Sequence, residues 1–154
     1  MSKNYIAYGL NMDIEYMKEN CPNTTLIGTG VVKDYNLYFK GCATIEKEEG
    51  KEVPVVVWSL DGRDEKRLDL REGYPSYYYK DENIAVTLSD GTKLTAMGYI
   101  MSESDWHRYS FSSYYIQAVR EYYKYWGFKL EKINEFILDT KKKIEESGDV
   151  VKRR

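Results

Sequence analysis

Two short segments of the chain carry residue types whose spacing could support chemistry. The first is Tyr8-Gly9-Leu10-Asn11-Met12, which joins a short apolar run to a helical pattern. Glycine and asparagine in such a turn can expose consecutive backbone N–H groups beside a helix N-terminus, and these groups attract carboxylates and oxyanions. The second is Leu68-Asp69-Leu70-Arg71-Glu72-Gly73, in which Glu72 stands at the end of a predicted helix. The helix dipole mildly disfavours a carboxylate there, so a reason other than stability is worth seeking.

A set of tyrosines is the third feature, and it follows the second segment. Alternation along a strand puts Tyr77 and Tyr79 on one face and Tyr78 on the other, so one face is expected to pack and the other to present hydroxyls. Tyr74 and Tyr99 complete the set. Each feature alone also has a plain structural explanation: an ordinary tight turn, an acid that happens to precede a helix-ending glycine, and tyrosines packed in a core.

The first part of the chain is mostly strand-like. Tyr5–Tyr8 is a short apolar run that ends at Gly9, and Asp13–Asn20 has the spacing of a short helix. β-branched and aromatic residues then predict several further strands, which are Thr25–Val32, Tyr35–Phe39, Cys42–Ile45 and Val53–Leu60.

Helical signals follow these strands. Asp61 or Asp64 can cap a helix that runs to about Arg71 and ends at Gly73. Ser89-Asp90-Gly91 between two strand patterns predicts a hairpin, and later apolar spacings of three and four predict helices near 113–126 and 129–146. The element order predicts one α+β domain over residues 1–154, with a mostly antiparallel, barrel-like sheet, flanking helices and a flexible tail from about residue 148.

Composition narrows the classes of function. A net charge of −2 over 154 residues offers no basic field for nucleic acid, and no apolar run approaches the length of a membrane span. The N-terminus also lacks the apolar core of a signal peptide. Cys21, Cys42 and the single His107 form neither a disulfide framework nor a metal-ligand cluster. We therefore expect a cytoplasmic protein with reduced thiols and no metal, nucleic-acid or membrane partner, while its oligomeric state is not predicted.

Taken together and in this order, the three features resemble the gamma-glutamylcyclotransferase-like family. Its members begin with a strand that ends in a YGSN-type loop, and later carry a helix ending in Glu-Gly and a tyrosine-bearing strand. Tyr8–Met12 is similar to that loop, and Leu68–Gly73 is similar to the segment with the catalytic glutamate, a role that falls here to Glu72. Tyr79 and Tyr99 match tyrosines on the following strands, and the resemblance spans about residues 4 to 138.

The resemblance implies an enzyme that needs no cofactor. A small γ-glutamyl amide or dipeptide would be cyclised to 5-oxoproline by intramolecular aminoacyl transfer, with Glu72 as general base and then general acid. It also implies a set of substrate-binding residues, which are Tyr8, Gly9, Leu10, Asn11, Met12, Tyr79 and Tyr99. Leu10 departs from the family, which normally has serine there. Two alternatives stay open: an inactive binding protein on the same fold, and removal of a γ-glutamyl protecting group.

Overall fold

The computed structural model describes residues 2–103 and 108–147. The predicted flexible tail and His107 lie outside these residues. The strands are β1 (Ser2–Ala7), β2 (Thr25–Asp61), β3 (Tyr78–Leu88), β4 (Lys93–Met101) and β5 (Ser110–Phe111). The helices are α1 (Ile14–Asn20), α2 (Gly62–Glu72), α3 (Ser113–Trp126) and α4 (Glu131–Ser147), and a 3₁₀ turn covers Leu10–Met12.

The strands pair in a ring, so the sheet closes on itself. β1 runs antiparallel to the end of β2 and meets β4 at Tyr5 and Met97. β4 pairs antiparallel with β3, and β3 pairs antiparallel with β2 where Leu88 lies opposite Gly30. The contacts of β1 with β4 and of β2 with β5 are short and parallel. The predicted α+β fold with a mostly antiparallel, barrel-like sheet is therefore confirmed.

One prediction about the strands was wrong in its detail. The four strands expected between Thr25 and Leu60 are segments of one extended run, β2, which has 37 residues. Left-handed backbone at Asp34, Gly41 and Gly50 changes its direction without ending the run. The carboxylate of Asp34 accepts a hydrogen bond from the Gly50 N–H at 3.0 Å, so two of these bends support each other. Turn residues do not reveal whether the strand continues through them.

The helix boundaries follow the local signals. The Asp61 side chain accepts from the Asp64 N–H at 2.8 Å and caps α2, which ends at Gly73 with φ 70°. Ser112 caps α3 in the same way, and Gly127 ends it with φ 78°. Side-chain oxygens at the start and left-handed glycines at the end satisfy the free backbone groups of a helix. The predicted bounds of α2 and α3 are thereby confirmed.

The core fills the inside of the sheet and the space beneath the helices. Its largest fully buried side chains include Ile6, Phe39, Trp58, Tyr123 and Phe136. These residues come from β1, β2, α3 and α4, so distant parts of the chain share one hydrophobic interior. In the part of the chain that the structure describes, no helix is both long and apolar enough to span a bilayer.

Candidate active site

A cavity of about 100 Å³ lies between the loop that follows β1 and the end of α2. Gly9, Leu10 and Asn11 line it from the loop, and Glu72 lines it from the last residue of α2. Much of the remaining wall is made of tyrosine side chains, which are Tyr5, Tyr8, Tyr16, Tyr78, Tyr99 and Tyr115. The two segments that the sequence singled out therefore face one small, aromatic space.

Two tryptophans hold the loop in its conformation. The indole N–H of Trp58 donates to the Asn11 carbonyl, and that of Trp126 donates to the Met12 carbonyl, each at 2.9 Å. Within the turn, the Met12 N–H donates to the Gly9 carbonyl at 3.1 Å. The N–H groups of Leu10 and Asn11 begin the 3₁₀ turn, a position that lacks acceptors inside the turn itself. They are the donors that the loop can offer to a ligand.

Met12 has a different place from the one predicted. Its N–H is used inside the turn, and its side chain is fully buried in the core and does not line the cavity. The loop reverses direction within three residues, so the side chain after Asn11 already points into the hydrophobic interior. Met12 thus anchors the loop, and the cavity wall on this side ends at Asn11.

The polar side chains of the loop are committed to neighbours. The Asn11 amide donates to the hydroxyl of Tyr5 at 2.8 Å, and the hydroxyl of Tyr8 donates to the Tyr99 carbonyl at 2.6 Å. Asn11 is only 7% exposed, so its amide would be costly to leave without a partner. These bonds fix the loop against the sheet before any ligand enters.

Glu72 is half-buried, and among the described residues that line the cavity it is the one that carries a formal charge. Within residues 2–103 and 108–147, no hydrogen bond or ion pair engages its carboxylate. Burial raises the pKa of Glu72, and the positive charge of Arg71 partly opposes this. A carboxyl group whose pKa moves toward neutrality can take up and release a proton more evenly, as a general acid and base must.

The tyrosines around Glu72 respond to its charge. Burial raises the pKa of Tyr8, Tyr78 and Tyr115, and the negative charge of Glu72 raises each further. The thiol of Cys42, which also lines the cavity, has its pKa raised by the same two causes. Burial and the charge of Glu72 thus favour the neutral form of these phenols and of this thiol.

The structure places Tyr79, which the resemblance implied as a substrate-binding residue, outside the cavity that Glu72 lines. Tyr79 is 46% exposed and lies on the opposite face of β3, outside the cavity. Its neighbour Tyr78 is 7% exposed, lines the cavity and places its hydroxyl 3.4 Å from the Ala43 carbonyl. Strand alternation correctly separated the two residues, but it does not say which face the closed sheet turns inward.

Tyr99 lines the cavity, but its hydroxyl is engaged elsewhere. The hydroxyl donates to a carboxylate oxygen of Asp69 at 2.6 Å, on the side of α2. The ammonium group of Lys80 lies 3.1 Å from the same carboxylate. Tyr99 therefore offers its ring to the cavity and its hydroxyl to the helix that carries Glu72.

Sequence reasoning missed several residues of the wall. Tyr5 lies in the predicted first strand, Cys42 in a predicted strand, and Tyr115 in the predicted helix α3, where nothing local marks any of them as part of a site. Tyr115 reaches Gly9 from more than a hundred residues away, so only the tertiary structure can report it. Among the described residues, no group of three or more His, Cys, Asp or Glu side chains is arranged to hold a metal ion.

The described residues form an α+β domain with a closed, mostly antiparallel sheet and a small, tyrosine-lined cavity that Glu72 also lines. A family model described as "Gamma-glutamyl cyclotransferase, AIG2-like" matches residues 5–117. The chain belongs to this family.

Known relatives agree with this membership. The chain is 28% identical over 110 residues to the gamma-glutamylcyclotransferases of Bos taurus and of Homo sapiens, an alignment that covers 64% of this chain and 58% of each relative. The chain thus spans a little over half the length of these curated relatives. A solved structure of a gamma-glutamyl cyclotransferase is similar with a TM-score of 0.75 and 26% identity, covering 88% of this chain and 86% of that one.

Proposed function

We propose that the protein cyclises the γ-glutamyl group of a small γ-glutamyl amide or dipeptide to 5-oxoproline and releases an amine or amino acid. The observation that carries the proposal is Glu72, whose carboxylate has a raised pKa and no hydrogen bond or ion pair with the described residues, in the small cavity that Leu10 and Asn11 also line. Membership of the family and the names of the bovine and human relatives support the same activity.

The reaction needs one proton carrier and no nucleophile from the protein. Glu72 takes a proton from the α-ammonium group of the substrate, and the free amine attacks the γ-carbonyl carbon of the same molecule. A carbon–nitrogen bond closes the five-membered lactam. The bond from that carbon to the leaving nitrogen then breaks, and Glu72 returns the proton to the leaving nitrogen. The second proton lost by the attacking nitrogen also goes to the released amine, which leaves as its ammonium form. Because the nucleophile belongs to the substrate, the wall needs no activated serine or cysteine.

The loop and the aromatic wall supply the remaining parts of the proposal. The N–H groups of Leu10 and Asn11 are suited to hold the α-carboxylate or the developing oxyanion. Leu10 can do this in place of the family's serine, because the contact would be made by its backbone. A cavity of about 100 Å³ favours a folded substrate over an extended one. Holding the amine against the γ-carbonyl in this way removes much of the entropic part of the barrier.

The test is a direct assay for 5-oxoproline with two series of donors, γ-glutamyl dipeptides and γ-glutamyl amines. We expect the parent protein to release 5-oxoproline from at least one donor and the Glu72→Gln protein to release none above background. Release of free glutamate instead would indicate hydrolysis, as in removal of a γ-glutamyl protecting group. If donors bind in calorimetry but neither 5-oxoproline nor glutamate is released, the result would indicate a binding protein on this fold.

A further inference from the structure

Tyr99 connects the loop that follows β1 with helix α2, which carries Glu72. Its backbone carbonyl accepts the hydroxyl hydrogen bond of Tyr8, which adjoins the loop, at 2.6 Å. Its own hydroxyl donates to Asp69 of α2, also at 2.6 Å. Asp69 lies three residues before Glu72, so the two carboxylates belong to adjacent turns on neighbouring parts of the helix surface. One residue of β4 thereby ties the loop to the helix that carries the acid.

Asp69 is held from a second side by a nearly buried ion network. The Lys80 side chain is 10% exposed and contacts Asp69 at 3.1 Å and Glu65 at 2.7 Å. Its ammonium group also lies 4.3 Å above the ring of Tyr74, just beyond the end of α2. Ion pairs shielded from water hold their geometry more firmly than exposed ones, because breaking them leaves a buried charge without a partner. The last turns of α2 are therefore fixed through Asp69 from β3 and β4.

The position of the Glu72 carboxylate depends on how firmly the end of α2 is held, more than it would if the carboxylate were itself hydrogen-bonded. In the part of the chain that the structure describes, nothing bonds to its carboxylate, so its position follows from the backbone beneath it. The backbone carbonyl of Asp69 also accepts the Tyr74 N–H at 2.9 Å, which ties the turn after Glu72 to the same residue. A small tilt of this turn would move the carboxylate relative to the loop.

We infer that Tyr99 and Asp69 form a positioning pair that sets the place of the Glu72 carboxylate relative to Leu10 and Asn11. The expected effect on kcat rests on the proposed function, whereas the expected effect on the position of the end of α2 does not. The pair touches neither reacting atoms nor protons in transfer. Its loss should therefore lower kcat and leave KM nearly unchanged, because the substrate still binds while the acid is misplaced.

The principal test is Tyr99→Phe, which removes the hydroxyl and keeps the ring against Tyr5, whose centroid is 5.8 Å away. We expect kcat to fall roughly 10- to 100-fold, the size of effect that a misplacement of about 1 Å produces. Hydrogen exchange should quicken at the backbone amides of residues 70–74 and change little elsewhere. Asp69→Asn keeps an oxygen that can accept from Tyr99, so it should retain more of kcat than Asp69→Ala.

The matched control is Lys3→Met, which removes the other lysine that contacts Glu65 in the same ion network. Lys3 contacts Glu65 at 3.0 Å and makes no hydrogen bond or ion pair with Asp69. We expect Lys3→Met to leave kcat and exchange at residues 70–74 close to the parent. Equal losses in Tyr99→Phe and Lys3→Met, or an unchanged kcat in Tyr99→Phe, would overturn the inference.

The exchange measurement separates failure of this inference from failure of the proposed function. If the parent released no 5-oxoproline, the proposed function would fail, and the comparison of Tyr99→Phe with Lys3→Met would still decide the role of the pair. Selective loosening of residues 70–74 in Tyr99→Phe supports the positioning pair. Exchange in Tyr99→Phe that matches the parent or Lys3→Met overturns it.

Discussion

The hydroxyl of Tyr115, on α3, occupies the space into which a side chain at Gly9 would project. The ring carbon that carries this hydroxyl would lie 3.4 Å from a Cβ at position 9, which is an ordinary contact. Tyr115 is only 8% exposed, so its hydroxyl has little room to move. Glycine at position 9 therefore lets α3 approach the loop and complete the cavity wall.

We predict that Gly9→Ala destabilises the protein by about 1–3 kcal/mol through overpacking against this hydroxyl. Removing the hydroxyl in the double variant Gly9→Ala, Tyr115→Phe should restore part of that loss. The measurement is urea unfolding of the parent, both single variants and the double variant as a double-mutant cycle. Additive losses would show that Gly9 is required for some reason other than Tyr115.

A second prediction concerns Glu72→Gln and activity. Glutamine keeps the size of the side chain but cannot take up the ammonium proton, and each of the two proton-transfer roles is typically worth roughly 10²–10⁴-fold. We expect kcat to fall to background and the affinity for a γ-glutamyl donor, measured by calorimetry, to change little. If kcat of Glu72→Gln fell by only about tenfold or less, the loss would be smaller than this range, and Glu72 would be excluded as the proton carrier.

The same substitution has a consequence for stability. The folded-state pKa of Glu72 lies above its ordinary value of 4.5, so the unfolded chain releases this proton at lower pH than the folded one. The charge therefore weakens the fold progressively as pH rises from the unfolded pKa through the folded pKa, and the penalty stays in full above both. We expect the midpoint temperature of thermal unfolding to be higher for Glu72→Gln than for the parent at pH 7. At pH 4 the two midpoints should approach each other. A constant difference across this range would contradict the assignment.

Substitution of Arg71 should shift the acid limb of the pH profile of kcat/KM. Its charge lowers the pKa of Glu72, so Arg71→Gln should raise that pKa and shift the acid limb of kcat/KM to higher pH. Because Arg71 is exposed, the shift should shrink as salt is added. The control is Arg67→Gln, one turn earlier on the same helix, because the charge of Arg67 acts on Cys21 and Asp64 rather than on Glu72. An identical acid limb in both variants at low salt would refute this prediction.

Two neighbouring tyrosines give a further matched pair. Tyr78→Phe removes a hydroxyl from the cavity wall, whereas Tyr79→Phe removes one from an exposed position on the other face of β3. We expect steady-state kinetics to show a clear loss of kcat/KM in Tyr78→Phe and parental values in Tyr79→Phe. The reverse order would mean that the inner face of β3 has been assigned to the wrong residue.

The sequence by itself determined the features that depend on near neighbours. Asp61 and Gly73 bound α2, and Ser112 and Gly127 bound α3, because capping oxygens and left-handed glycines act within one turn of the helix. The two segments that face the cavity were also visible in the sequence, since a glycine-asparagine turn and a carboxylate at a helix end are local patterns. Together and in their order along the chain, they carry the family resemblance that implies Glu72 as the acid, so this residue could be proposed before any contact was known.

Only the tertiary structure decided which side chains surround that acid. Strand alternation separates Tyr78 from Tyr79, but the inward face depends on the direction in which the closed sheet curves. Tyr115 meets Gly9, and Tyr99 meets Asp69, across long separations in the chain. Such contacts are made when β1 pairs with both β2 and β4, and no periodicity within a single element encodes them.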